Sequence, residues 1–224
     1  MHENRYFPAT DLDLDRLEEL LELLQAYQVP SEWHRARLQT TDTPFALTEM
    51  GAPPRRIASH GRANPAGIPY LYLGSTPETA VAEIRPHTGE RACVAQFLVP
   101  DTLRLVDLRS PRHDISPFVF SDEDLIGHLR SDVAFLDRLG EELTRPVAPQ
   151  GAPFDYVPSQ YLCEFIKKCG YQGVLYRSSV SDGFNLALFD PNLAVPQTVR
   201  QYDIVRVSAE IRRYRSFGLT AKRR

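Results

Sequence analysis

Apolar residues recur at helical spacing in residues 11–27 (DLDLDRLEELLELLQAY), where Leu14, Leu17, Leu21 and Leu24 fall on one face. Asp11 or Asp13 is placed to cap this segment, and acids near its start suit the positive end of the helix dipole. The pattern predicts an amphipathic helix ended by Pro30 and Ser31. From Thr40 to Pro69 the prolines and glycines are too frequent for long regular elements, and the stretch reads as ordered loop. Tyr70–Leu73 predicts a short strand. Ser75-Thr76-Pro77-Glu78 then starts a helix with a hydroxyl cap, a proline at its first position and an acid in its first turn. That helix is expected to run to about Arg85, because Pro86 follows.

Further strands are predicted at Ala92–Val99 and Leu103–Asp107, and a second amphipathic helix at about Asp122–Leu139. After a proline-rich loop from Pro146 to Pro158, Ser159–Cys169 reads as a helix ended by Gly170. Strands at Gly173–Tyr176, Asn185–Phe189 and Tyr202–Val207 lead to a basic tail from Arg212 to Arg224. Short strands mixed with helices, without regular strand-helix-strand alternation, predict an α+β fold rather than a doubly wound sheet. The organisation expected is a helical extension over 1–30, one domain over 31–210 and the tail over 211–224.

Of the 224 residues, 42% are hydrophobic and 25% charged, the balance of a chain that buries one sizeable core. A net charge of -3 gives no surface built to coat nucleic acid or anionic membrane. The basic tail is expected to be a solvated end and not a nucleic-acid site, since only Tyr214 and Phe217 offer it stacking rings. No apolar run approaches the roughly 20 residues of a membrane helix, and the acidic start is no signal peptide, so a cytoplasmic location is expected. Cys93, Cys163 and Cys169 share no CxxC spacing and read as small core residues. The histidines form no HxxxH or HExxH pair, and no metal is expected. GxGxxG and GxxxxGK[ST] are both absent, so any dinucleotide must be held in another way.

Three segments carry candidate chemistry. In Gly61-Arg62-Ala63-Asn64-Pro65-Ala66-Gly67 a polar turn delivers one arginine just before a strand; Arg62 there is either a bidentate clamp for a diphosphate or a surface ion-pair partner. On the next helix Ala80, Val81 and Ile84 form the buried stripe. Glu83 lies beside it, either poised at the core edge where desolvation tunes a carboxylate or a plain surface acid. Tyr176-Arg177-Ser178-Ser179 leaves one strand and Gly183-Phe184-Asn185 opens another, which gathers hydroxyls and an amide either as a site or as a self-satisfied turn.

Together these segments resemble the RES domain, a family named for its Arg, Glu and Ser. Arg62 opens an RxNxxG segment, Tyr72 follows ten residues later and Glu83 eleven after that in a TAxxE helix, the order and spacing of the family. GVLYRSSVSDGFNLALF is similar to its YxS...GxN segment, with Ser178 and Asn185 at the matching positions and Ser179 as an alternative to Ser178. Arg35 in WHRAR resembles the arginine that opens the domain. Ala63 stands where many members carry Trp. The likeness covers roughly residues 33–190.

The resemblance implies an ADP-ribosyltransferase-like mixed β core with flanking helices, and a reaction that breaks the nicotinamide glycosidic bond of NAD⁺. It implies that Arg62, with Arg35, holds phosphate, that Tyr72 packs against nicotinamide or its ribose, and that Glu83 stabilises an oxocarbenium-like ribose or engages its hydroxyls. Ser178 and Asn185 would orient Glu83 and the sugar. Several members of the family act as toxins restrained by an antitoxin, so NAD⁺, inorganic phosphate and an antitoxin protein are the expected partners; the leucine face of the N-terminal helix, which precedes the likeness, is expected to serve a second copy of the chain or the antitoxin, with packing on its own domain as the alternative. The acceptor stays open among water, phosphate and a protein side chain, with phosphorolysis or hydrolysis favoured. A protein-modifying ADP-ribosyltransferase and a non-enzymatic interaction module are the alternatives, the latter with the leucine-rich N-terminal helix as its contact surface.

Overall fold

A computed structural model describes residues 14–111, 134, 136–138, 140–145, 155–209 and 211. The capping aspartates Asp11 and Asp13, the tail from Arg212 and residues 146–154 of the proline-rich loop lie outside them. So does most of the helix expected over 122–139, although 134 and 136–138 are helical.

Helix α1 (Leu14–Leu23) leads into strand β1 (Glu32–Leu38), which the sequence did not announce. Strand β2 (Leu71–Gly74) follows a long loop whose regular parts are two short 3-10 turns. Helix α2 (Pro77–Glu83) starts as its residues predict: Thr76 Oγ1 accepts from the Thr79 amide at 3.1 Å, and Pro77 holds the first position. It stops two residues before the expected end. Ile84 is its C-cap and Arg85 takes a left-handed φ of 48° ahead of Pro86. Strands β3 (Arg91–Leu98) and β4 (Leu105–Asp107), helix α3 (Val157–Lys168), and strands β5 (Gly173–Arg177), β6 (Phe184–Leu188) and β7 (Val195–Asp203) follow, with a 3-10 turn (Pro191–Leu193) before β7.

The strands form one sheet in the order β4-β5-β6-β2-β1-β3-β7, with β4 and β5 parallel and the other neighbours antiparallel. This mixed sheet with helices is the α+β class expected. The last strand differs from its expected span, Tyr202–Val207: it begins at Val195 and ends at Asp203. As an edge strand it is exposed along almost its whole length, so no alternation of apolar and polar residues marks it in the sequence.

Alternation along the inner strands sorts the core onto two sides. Leu71, Leu73, Leu175, Leu186 and Leu188 join Trp33, Ala95 and Phe97 on one side. Val174, Tyr176 and Ala187 face the other way, where α1 supplies Leu17, Leu20, Leu21 and Leu24 and α3 supplies Leu162, Cys163 and Ile166. On this same side, over β1 and β3, Ala80 of α2 packs on Ala36 and Val94. The pairings His34↔Gly74 and Gly74↔Asn185 fix that shared side. Cys93 and Cys163 are buried core residues and Cys169 is partly buried, all three as free thiols. Among the described residues no helix is long and apolar enough to cross a membrane.

The burial of α1 overturns its expected role as an interaction surface. Its leucine face is closed against the core, and its C-terminal end is stitched to the sheet edge: the Ala26 amide donates to the Leu105 carbonyl at 2.8 Å and the Asp107 amide to the Leu24 carbonyl at 2.7 Å. These bonds cover β4, whose open edge would otherwise be a template for another strand. Leu21 is completely buried, so Leu21→Ala is expected to lower unfolding free energy by about 2–5 kcal/mol in urea titrations, and a chain lacking residues 1–28 is expected not to fold cooperatively.

Candidate active site

Four of the predicted residues converge where α2, β2 and the β5–β6 hairpin meet on the helical side of the sheet. Glu83, the last residue of α2, receives two hydrogen bonds on the same oxygen: Ser178 Oγ donates to Oε1 at 2.8 Å and Asn185 Nδ2 at 2.6 Å. Both donors are buried, at 8% and 4% exposure, while Glu83 itself is exposed. The expectation of a carboxylate at the core edge thus gives way to one held by hydrogen bonds and open on its other side. Its Oε2 takes no bond from any described residue.

The hairpin turn explains why the serine comes in a pair. Ser178 points to Glu83, and its neighbour Ser179 accepts from Arg62 Nη2 at 3.1 Å. The two serines thus have different partners, and consecutive residues tie the carboxylate to the guanidinium. Gly183 closes the turn, its carbonyl accepting from the Ser178 amide at 3.0 Å. A Cβ there would collide with the Thr79 and Ser75 hydroxyls, so only glycine lets the hairpin lie this close to the start of α2.

Arg62 is half-buried and partly anchored. Its Nη1 donates to the Arg145 carbonyl at 2.6 Å, and its guanidinium lies 5.6 Å from the Tyr156 ring centroid. The loop that presents it is pinned from inside. Asn64, buried at 3%, donates through Nδ2 to the carbonyls of Ser59, Pro65 and Ile68 and accepts the Tyr72 hydroxyl on Oδ1 at 2.5 Å. From α3, Ser159 Oγ donates to the Arg62 carbonyl at 2.6 Å and Gln160 Nε2 to the carbonyls of Gly61 and Asn64, both at 2.9 Å. Gly61 is required by contact: a Cβ would stand 2.5 Å from the Tyr72 hydroxyl.

Tyr72 faces the site from β2, and its hydroxyl also accepts the Ala63 amide at 3.0 Å. Burial pushes this phenol well above its ordinary pKa, so it stays protonated and serves as a donor. Tyr176 lies buried nearby. Burial first, then the neighbouring Tyr72 and Glu83, raise its phenol well above the ordinary value, against the opposing charge of Arg62.

Arg35 is not brought to this group. It pairs with Ala95 and so shares the side of the sheet that carries Trp33 and Leu186. It reaches Tyr72 through the main chain alone, Nη1 donating to the Tyr72 carbonyl at 3.4 Å, and its Nε is buried without a partner. Burial, and then the nearby Arg37, lower its pKa to about 10, which leaves it charged at neutral pH.

Residues with no role assigned from sequence, namely Asn64, Ser159, Gln160 and Tyr176, make up the supporting shell. The signal was present in α3, where Ser159 and Gln160 occupy the buried stripe of a helix whose other members, Cys163 and Ile166, are apolar. Polar groups there call for partners, and the loop carbonyls are those partners. Among the described residues no three His, Cys, Asp or Glu side chains come together to hold a metal ion. Gln160→Leu keeps the volume but strands the Gly61 carbonyl and leaves the Asn64 carbonyl with the Gly61 amide alone. It is expected to cost about 1–3 kcal/mol in chemical denaturation and to speed hydrogen exchange at the Gly61 and Gly67 amides.

The sequence profile of the RES domain family matches residues 31–208. A comparison with curated proteins finds no match. Among solved structures, a chain in the crystal structure of the M. tuberculosis MbcT-MbcA toxin-antitoxin complex is similar over 83% of this chain and 91% of that one, at 14% identity and a TM-score of 0.47.

Proposed function

Since the chain belongs to the RES domain family, we propose that it breaks the bond between nicotinamide and ribose in NAD⁺ and passes the ADP-ribosyl group to phosphate or water. The observation that carries this reading is the state of Glu83: one oxygen fixed by two buried donors, the other open, on an exposed side chain. An acid prepared in this way suits a developing cation better than a proton-transfer partner, because its charge is already oriented before the reaction begins. Nicotinamide leaves neutral, taking the electron pair of the C–N bond, and the ribose carbon and ring oxygen share the positive charge. Glu83 Oε2 faces that charge or the ribose hydroxyls. The acceptor oxygen then bonds to the anomeric carbon; phosphate yields ADP-ribose phosphate, and water yields ADP-ribose after losing its proton.

In this reading Arg62 contacts the diphosphate with the donor capacity left by its bonds to Arg145 and Ser179, and Tyr72 flanks the nicotinamide ribose. Arg35 is given no phosphate, since its guanidinium lies against the Tyr72 carbonyl. The reaction needs no metal or bound cofactor. An ADP-ribosyltransferase-like arrangement of the sheet, a cytoplasmic location, and control by an antitoxin or by self-association complete the proposal.

Glu83→Gln keeps the two donors engaged but removes the charge. Turnover in single-turnover assays is expected to fall by about 10²-fold or more while NAD⁺ affinity changes much less. Arg62→Ala is expected to weaken NAD⁺ binding strongly, because a phosphate contact acts in ground state and transition state alike. Mass spectrometry of the products, with and without added phosphate, identifies the acceptor. A Glu83→Gln protein that cleaves at the wild-type rate overturns the assignment, and a wild-type protein that cleaves no NAD⁺ with any acceptor favours the interaction-module reading.

A further inference from the structure

A cleft of about 630 Å³ opens at the C-terminal ends of the parallel strands β4 and β5, lined by Asp107, Arg109, Ser110, Arg177, Ser181 and Asp182 among others. It also borders Ser178, Gly183 and Phe184, and so shares the hairpin turn with the Glu83 site. The pairing Asp107↔Leu175 and the position of Phe184 place its floor on the Trp33 side of the sheet. The turn from Ser178 to Gly183 therefore has the candidate active site on one flank and this cleft on the other.

The charges in the cleft are unevenly satisfied. Asp107 is engaged by Arg109 through Nε at 2.9 Å and Nη2 at 2.5 Å, and the Arg109 guanidinium stacks 4.4 Å from the Phe184 ring centroid. Asp107 is thus matched by a cation of its own. Arg177 is exposed, and its one hydrogen-bond partner among the described residues is the Ser110 hydroxyl. It makes no ion pair with either carboxylate, although both line the same space. A guanidinium steered by a neutral hydroxyl keeps its charge and most of its donors for something else. Together with the Ser110 hydroxyl, whose own proton has no acceptor among the described residues, it offers donors that a phosphate oxygen recognises, while Ser181 is held in the turn by donating to Thr79 Oγ1 and accepting the Gly183 amide.

From this we infer that the cleft beside Arg177 and Ser110 binds a phosphate group. Two sources share that chemistry, the diphosphate of a nucleotide and free inorganic phosphate. The first would extend the NAD⁺ reading above, on which it then rests, by seating the adenylate half beyond the turn. The second stands without it. Asp182, exposed on the rim, opposes any anion there, so the site has a sign that can be tested in both directions.

Titration calorimetry on the full chain with inorganic phosphate in one series and ADP in another tests the inference. Arg177→Gln is expected to raise Kd by about tenfold, and Asp182→Asn to lower it, with both effects shrinking as salt rises. Both side chains are exposed, so the two variants are expected to keep wild-type unfolding curves. Opposite shifts in both series support a phosphate site. Shifts with ADP alone assign it to the nucleotide, and shifts with phosphate alone to the free ion. Unchanged affinity in Arg177→Gln, movement of both variants in the same direction, or no binding by the wild type overturns the inference. Loss of NAD⁺ cleavage in Glu83→Gln beside an unmoved Arg177→Gln removes the cleft and leaves the reaction. The reverse outcome, no cleavage by the wild type but opposite shifts in the two variants, removes the reaction and leaves the cleft.

Discussion

Everything in the site depends on one shared acceptor, the Oε1 of Glu83. Two donors from two different places, Ser178 at the end of β5 and Asn185 in β6, converge on it. A carboxylate at a helix terminus otherwise samples several rotamers, and ordering it costs side-chain entropy. Here that cost is offset by charge-assisted hydrogen bonds from buried groups. The same contacts dock the end of α2 against the hairpin. The same two bonds therefore serve acid placement and local packing.

Around that acceptor the chain places a second pinned element, the Arg62 loop. Its stability comes from inside, through the Asn64 amide and the two polar residues of α3, and not from regular structure. This resolves an apparent conflict in the sequence. A loop with prolines and glycines at this density is expected to be irregular, and it is, yet it must hold a guanidinium in register with a strand and a hairpin. Interior hydrogen bonds to its carbonyls supply what secondary structure does not. Tyr72 ties the same loop to the sheet, since its hydroxyl donates to Asn64 and accepts from Ala63.

Local chemistry was the most legible part of the sequence. The start of α2 followed from Thr76 and Pro77, and the strands β5 and β6 from short apolar runs bounded by turn residues. Glu83, Ser178, Asn185 and Tyr72 were found as residue types in a spaced order, and the fold brings them together with Arg62. What stayed hidden is non-local. Strand β1 carries His34, Arg35 and Arg37 among its few apolar residues, so its charges masked a central strand. The leucines of α1 have the same spacing whether they meet a partner or their own core, and only the three-dimensional arrangement decides between these. Arg35 illustrates what motif reading leaves open: its type gives no sign of the side it takes, and strand parity puts it on the face of the sheet opposite Glu83.

The junction of β1 with β2 has a consequence of its own. These neighbours meet at a single residue pair, His34 with Gly74, whereas β1 and β3 are paired along seven. The sheet is thus closer to two panels joined at a narrow hinge line than to one continuous surface. Glu83 sits on a helix that leaves the β2 panel and rests on Ala36 and Val94 of the other, and its two donors belong to the first. The carboxylate is in effect a latch across the hinge line.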